Sequence, residues 1–137
     1  MFTNKRKKQA NWNIRMSEKR TVLIVDDSRV SRMMVKSIAK QNYPEVTIFE
    51  AGNADDTLAL DITDELTHII CDYNMPGMDG LSLCKALQKD HPSSYITLLT
   101  ANIQAATRNK AQDMGIHFAK KPVTEERILS ILSKQGH

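Results

Sequence analysis

Four short apolar runs in this 137-residue chain each end on residues that could do chemistry. Thr21–Val25 ends on Asp26-Asp27, Ile69-Ile70-Cys71 on Asp72, Tyr95–Leu99 on Thr100-Ala101, and Ile116–Ala119 on Lys120-Lys121. Three carboxylates gathered in one place repel one another and need a cation. Oxygen-only ligation suits magnesium, which keeps several waters and takes one or two carboxylates plus phosphate oxygens. A hydroxyl and an ammonium at the same place are partners for phosphoryl oxygens. Taken singly, each of these residues only begins or caps a turn. Taken together, that explanation needs five coincidences.

A parallel sheet would bring them together. The clearest stretch is Leu66–Gly80, LTHIICDYNMPGMDG, an apolar strand that stops on Asp72 and opens into the turn formers Asn74, Pro76, Gly77, Asp79 and Gly80. In open α/β sheets the carboxyl ends of the strands are where ligands bind. Val46, Ile48 and Phe49 mark a further strand, giving five. Between the strands lie helical patterns. Ser28 caps the first, with Val30, Met33, Met34 and Ile38 on its apolar face and an end near Asn42, before Pro44. Asn53 caps a second, running through Leu58, Leu60 and Ile62. Asp79-Gly80 opens a third, with Leu81, Leu83, Cys84 and Leu87 inward and a break at His91-Pro92. A fourth runs from about Ile103 to Met114, with Gly115 at C′. Thr124 starts a fifth, with Ile128, Leu129, Ile131 and Leu132 inward. Strand and helix alternate five times, which predicts a doubly wound parallel sheet with helices on both faces.

The length suits one domain with a real core. Apolar residues make up 41% and charged residues 26%, as in water-soluble globular proteins. No run approaches the roughly 18 apolar residues of a membrane span, and no apolar stretch follows the basic N-terminus as in a secretory signal. A cytoplasmic location follows by default. Cys71 and Cys84 fall within apolar patterns and read as reduced core thiols. Residues 1–20 hold seven Lys and Arg against one Glu, a net +6, so the +3 of the whole chain leaves a body of −3. Residues 1–19 read as a basic, disordered extension and 20–137 as the domain. Met16 could also be the true start.

The constellation VLIVDDS, IICDYNMPGMDG, LLTAN and FAKKP resembles the receiver domain of two-component response regulators, over roughly Arg20 to the C-terminus. The resemblance implies a flavodoxin-like five-stranded sheet of order 2-1-3-4-5. It implies that Asp72 is the phosphoacceptor, that Asp27 and Asp72 bind Mg2+ directly with Asp26 acting mainly through water, and that the backbone carbonyl of Asn74 is a further ligand. Thr100, beside Ala101, would bond a phosphoryl oxygen and reorient on phosphorylation, and Lys121 would pair with the phosphoryl group. Lys120, by strand alternation, would point elsewhere. Phe118 occupies the aromatic switch position, with no phenolic hydroxyl. Asn74 and Asn102 stand where the phosphoryl lifetime is tuned, and neither is a carboxylate. The implied partners are a sensor histidine kinase or histidine phosphotransfer protein, and a downstream protein reading the fourth helix, fifth strand and fifth helix. Because the chain ends soon after its last helix, a stand-alone receiver is expected.

Two other functions compete. A haloacid-dehalogenase-type phosphohydrolase also uses a nucleophilic Asp and magnesium, but has a second Asp two residues on as general acid–base. Here Asn74 stands there, and Ser28 two past Asp26, and neither exchanges the proton. A nucleic-acid binder would act through residues 1–20, with Trp12 available to stack. The body shows no basic face in sequence, so nucleic acid is the weaker reading. His68, His91, His117 and His137 are scattered without ligand spacing, and the methionines of the first helix read as core.

Overall fold

The apolar runs become strands because each buries side chains on both faces of one sheet. In the computed structural model, which describes residues 19–102 and 104–135, these are β1 (Thr21–Val25), β2 (Thr47–Ala51), β3 (His68–Asp72), β4 (Tyr95–Thr100) and β5 (His117–Lys120). All pair in parallel, in the order β2-β1-β3-β4-β5. The intervening helices are α1 (Arg29–Asn42), α2 (Ala54–Ala59), α3 (Gly80–Asp90), α4 (Ala105–Asp113) and α5 (Glu125–Leu132). The doubly wound architecture expected from the alternation is the one observed. The extension expected over residues 1–19 lies, up to residue 18, outside the described residues, as do Trp12, Ile103 and His137.

Alternation along the strands builds two cores. Leu23, Val25, Ile69, Cys71, Ile96 and Leu98 face α3 and α4, against Leu83, Cys84, Leu87 and Ala111. Val22, Ile24, Ile70 and Leu99 face α1 and α5, against Val35, Ala39, Ile128, Ile131 and Leu132. The central strand β3 is buried at every residue, as a sheet covered on both faces requires. Cys71 and Cys84 are free and buried, as read.

The caps form as the sequence indicates. Ser28, Asn53, Asp79 and Thr124 each accept a hydrogen bond from the backbone N–H three residues on. Gly115 follows the C-cap of α4 with φ +75°, the left-handed value that favours glycine. Gly80 is needed for a different reason. A Cβ there would stand 2.7 Å from the Cα of Tyr73 and closer still to the Asp72 carbonyl, so only glycine lets α3 start against the end of β3.

Two expectations are corrected. Val30, Met33 and Met34 are not core: they are 67%, 61% and 43% exposed. The buried stripe of α1 is Val35 and Ala39, continued by partly buried Ile38, while Arg32 extends it toward the sheet and bonds the Asp26 carbonyl and Glu50. Apolar residues lie on both faces of α1, so periodicity alone could not choose between them. The second helix does not reach Ile62. It stops after Ala59, where Leu60 turns extended at ψ 130°. Leu60 and Ile62 still pack on the core, from an irregular segment.

Candidate phosphoryl and metal site

Because the sheet is parallel, the polar residues after β1, β3, β4 and β5 share its carboxyl edge. Asp26 and Asp72 are each 2% exposed, while Asp27 is exposed. One carboxylate oxygen from each of the three lies within 4.8 Å of the others. Asp26 Oδ1 accepts from the Ser28 N–H at 2.9 Å. Among the described residues its buried Oδ2 has no hydrogen-bond partner, and the Lys121 ammonium stands 3.8 Å from it. A buried carboxylate oxygen left unsatisfied beside two more carboxylates is a donor set that suits a hard divalent cation.

Asp72 Oδ1 accepts from the Lys121 ammonium at 3.0 Å and from the Asn74 N–H at 3.3 Å. Both bonds fall on one oxygen, so Oδ2 is the oxygen free to act. Burial pushes the Asp72 carboxyl up, Lys121 and the Asn74 N–H pull it down, and Asp26 pushes it up again, leaving it raised. Burial depresses the Lys121 ammonium, but its hydrogen bond to Asp72 and the charges of Asp26, Asp72 and Asp27 outweigh that and raise it. The cluster thus keeps a cation beside a carboxylate that is itself reluctant to ionise.

Thr100 is buried at the end of β4, and its hydroxyl donates to the Asn102 carbonyl at 2.8 Å. Ala101 beside it is exposed. Phe118 is half-buried on β5, packed against the α3 and α4 core. Lys120 is exposed and turned from the carboxylates, as strand alternation requires, while Lys121 reaches them. The Lys121–Pro122 peptide bond is cis. The residues expected from sequence to form the site, Asn74 included, therefore lie at one edge or on the strand beside it.

Sequence reasoning missed a second grouping, at the opposite edge. Tyr95 and His117 stack with ring centroids 4.0 Å apart, and His68 lies tilted 6.1 Å from Tyr95. Each is the first residue of its strand, and in a parallel sheet that shared position is the signal that could have found them. His68 is buried between the Thr67 hydroxyl and the Lys134 carbonyl, both at 2.8 Å. Burial lowers its pKa to about 4, opposed by the Lys134 carbonyl and helped by Arg20. Arg20 in turn donates to the Leu132 carbonyl at 2.8 Å and lies over the Tyr43 ring. These two residues tie the end of α5 to the amino edge of the sheet.

An open parallel sheet with carboxylates, a hydroxyl and an ammonium at its carboxyl edge defines a small α/β domain suited to handling a cation and a phosphoryl group. The model of the response regulator receiver domain matches residues 22–133, and the chain belongs to that family. Among curated relatives it is 28% identical over 121 residues to the cyclic di-GMP phosphodiesterase response regulator RpfG of Xanthomonas campestris pv. campestris. That match covers 86% of this chain and 32% of the relative. It is 32% identical over 127 residues to the sensor protein EvgS of Escherichia coli K12, covering 92% of this chain and 10% of the relative. The chain thus spans a third or less of the length of these relatives. Among solved structures, the chemotaxis response regulator CheY4 of Vibrio cholerae superposes with a TM-score of 0.73 at 26% identity, covering 85% of this chain and 98% of that one. No helix among the described residues is long and apolar enough to cross a membrane.

Proposed function

We propose that Asp72 accepts a phosphoryl group from a phosphohistidine on a sensor kinase or phosphotransfer protein, and that the product alters the surface around β5. The observation that carries this reading is the Asp72 carboxylate, buried at the carboxyl edge with one oxygen held by Lys121 and the other free. Asp72 Oδ2 attacks phosphorus as the phosphorus–nitrogen bond breaks. The new bond is an acyl phosphate, and the imidazole leaves with the electron pair. Asp26, Asp27, Asp72 and the Asn74 carbonyl would hold Mg2+, which supplies positive charge to the phosphoryl oxygens when bound. Lys121 stays beside the reacting group and offsets its charge.

The donor must rest on the rim around Asp72. There α1 begins two residues after Asp27 and exposes Val30, Met33 and Met34, an apolar face of the kind that marks an interaction surface. After transfer, Thr100 exchanges its bond to Asn102 for one to the phosphoryl group. Phe118 moves into the volume behind β4. A partner that prefers one arrangement shifts the population by its differential affinity alone. The Asn74 amide cannot serve as a general acid–base, so turnover of outside phosphoesters is not part of this reading.

Incubation with acetyl phosphate and Mg2+ tests it. Wild-type protein should gain one phosphoryl group by intact mass, while Asp72→Asn and a chelated sample should gain none. Labelling of Asp72→Asn equal to wild type would overturn the assignment.

A further inference from the structure

The end strand β5 leaves an edge of the sheet open between two cationic pockets. On the α5 side a pocket of about 260 Å³ is lined by Thr97, His117, Arg127, Ser130 and Lys134 among others. On the α4 side a pocket of about 170 Å³ is lined by Thr100, Arg108, Phe118 and Lys120. Lys120 reaches both, and neither lining contains a carboxylate. In sequence these four cations are spread over residues 108–134 and look like scattered surface charge. The fold gathers them along one strand of a body whose net charge is negative.

Two further observations point to an occupant. Thr97 is 1% exposed and lines the α5-side pocket, yet its Oγ1 has no hydrogen-bond partner. A buried hydroxyl without a partner is unfavourable unless something enters to satisfy it. The backbone of β5 is also half used. The Lys121 N–H bonds the Thr100 carbonyl, and alternate residues of a parallel strand address opposite neighbours. The N–H and C=O of Phe118 and Lys120 therefore face away from β4. Among the described residues no strand lies on that side.

We infer that β5 receives an extended acidic segment of the downstream partner as a sixth strand. Successive residues of a strand point to opposite faces, so two consecutive acids on the incoming segment would enter the two pockets. The acid on the α5 side meets the Thr97 hydroxyl, Arg127 and Lys134, and the acid on the α4 side meets Arg108 and Lys120. Main-chain bonds to Phe118 and Lys120 supply affinity, and the charges select the sequence. The short strand and its Lys120 discourage pairing with neutral or basic edges, which keeps the site selective. This deepens the proposed function and rests on it only for naming the occupant as the downstream target.

The test uses the unphosphorylated chain, so its outcome is independent of Asp72. A labelled peptide with two adjacent Glu residues flanked by Val and Thr is titrated by fluorescence anisotropy, with amide exchange followed by NMR. Saturable binding is expected, with slowed exchange at the Phe118 and Lys120 amides. Affinity should fall at least tenfold for a Gln-Gln peptide and for a peptide N-methylated on the bonding side. A Lys-Lys peptide should bind the Arg127→Glu, Lys134→Glu variant better than the Glu-Glu peptide does. Absence of binding at millimolar peptide, unchanged exchange at Phe118 and Lys120, or equal binding of the N-methylated peptide would each overturn the inference.

Discussion

Asp26, Asp27 and Asp72 place three carboxylate oxygens within 4.8 Å of one another, with the Lys121 ammonium set against Asp26 and Asp72. Their mutual repulsion is the part of the site that a bound divalent cation would relieve. Replacing Asp27 with Asn removes one negative charge from the exposed side. Mg2+ affinity of Asp27→Asn is expected to fall tenfold or more by titration, equivalent to ~1.4 kcal/mol or more, while the metal-free protein melts at a higher temperature. Unchanged affinity would remove Asp27 from the ligand set. The other residue whose protonation matters lies far from this edge. His68 is neutral in the folded protein, with a pKa of about 4 because burial opposes its charge, while the Lys134 carbonyl partly favours it and Arg20 disfavours it. The unfolded chain takes up the proton near 6.5 and the folded chain near 4, so stability present above pH 6.5 declines as pH falls to about 4. At ~1.4 kcal/mol per tenfold in proton binding, the loss is about 3 kcal/mol. Denaturant unfolding of wild type and His68→Gln between pH 7 and 4 checks this. The variant is expected to lose less stability over that range, and parallel curves would contradict it.

Each element has one or two positions that decide how it meets the site. For α3 the position is Gly80, where any side chain would meet the backbone of Asp72 and Tyr73. Gly80→Ala is expected to destabilise by about 1–3 kcal/mol, since backbone cannot move aside as a side-chain tip can. A melting temperature lowered by roughly 4–12 °C would register it, together with slower phosphoryl uptake because Asp72 shifts. A variant with wild-type melting and uptake would show that the start of α3 is more pliant than the close approach implies. Much of this level was legible in sequence, because caps and breakers act locally: Ser28, Asn53, Asp79 and Thr124 each cap where they stand. The inward face of α1 was not. Val30, Met33, Met34, Val35 and Ile38 surround that helix, and the choice among them is made by α5 and the sheet, which no local pattern reports. For the same reason the apolar side chains of Leu60 and Ile62 signalled burial correctly but helix wrongly. They reach the core from an irregular segment after α2 ends.

At the scale of the molecule, one topological fact assembles the site. Five parallel strands direct their carboxyl ends to a single edge, so residues as far apart in sequence as Asp26 and Lys121 come within 3.8 Å. That was legible because four of the five apolar runs end on a functional residue, and alternation with helices fixes the strands as parallel. The lateral relations were not legible. The cations beside β5 and the row of His68, Tyr95 and His117 depend on which strands are neighbours and which is last. The account centres on Asp72 as the acceptor, and an acyl phosphate can be located chemically. Protein treated with acetyl phosphate and Mg2+ is reduced with borohydride, which converts a phosphorylated aspartate to homoserine, and the peptide spanning β3 is sequenced by mass spectrometry. Homoserine is expected at residue 72 alone, and none when Mg2+ is chelated. Homoserine at residue 26 or 27 with residue 72 unmodified would contradict it.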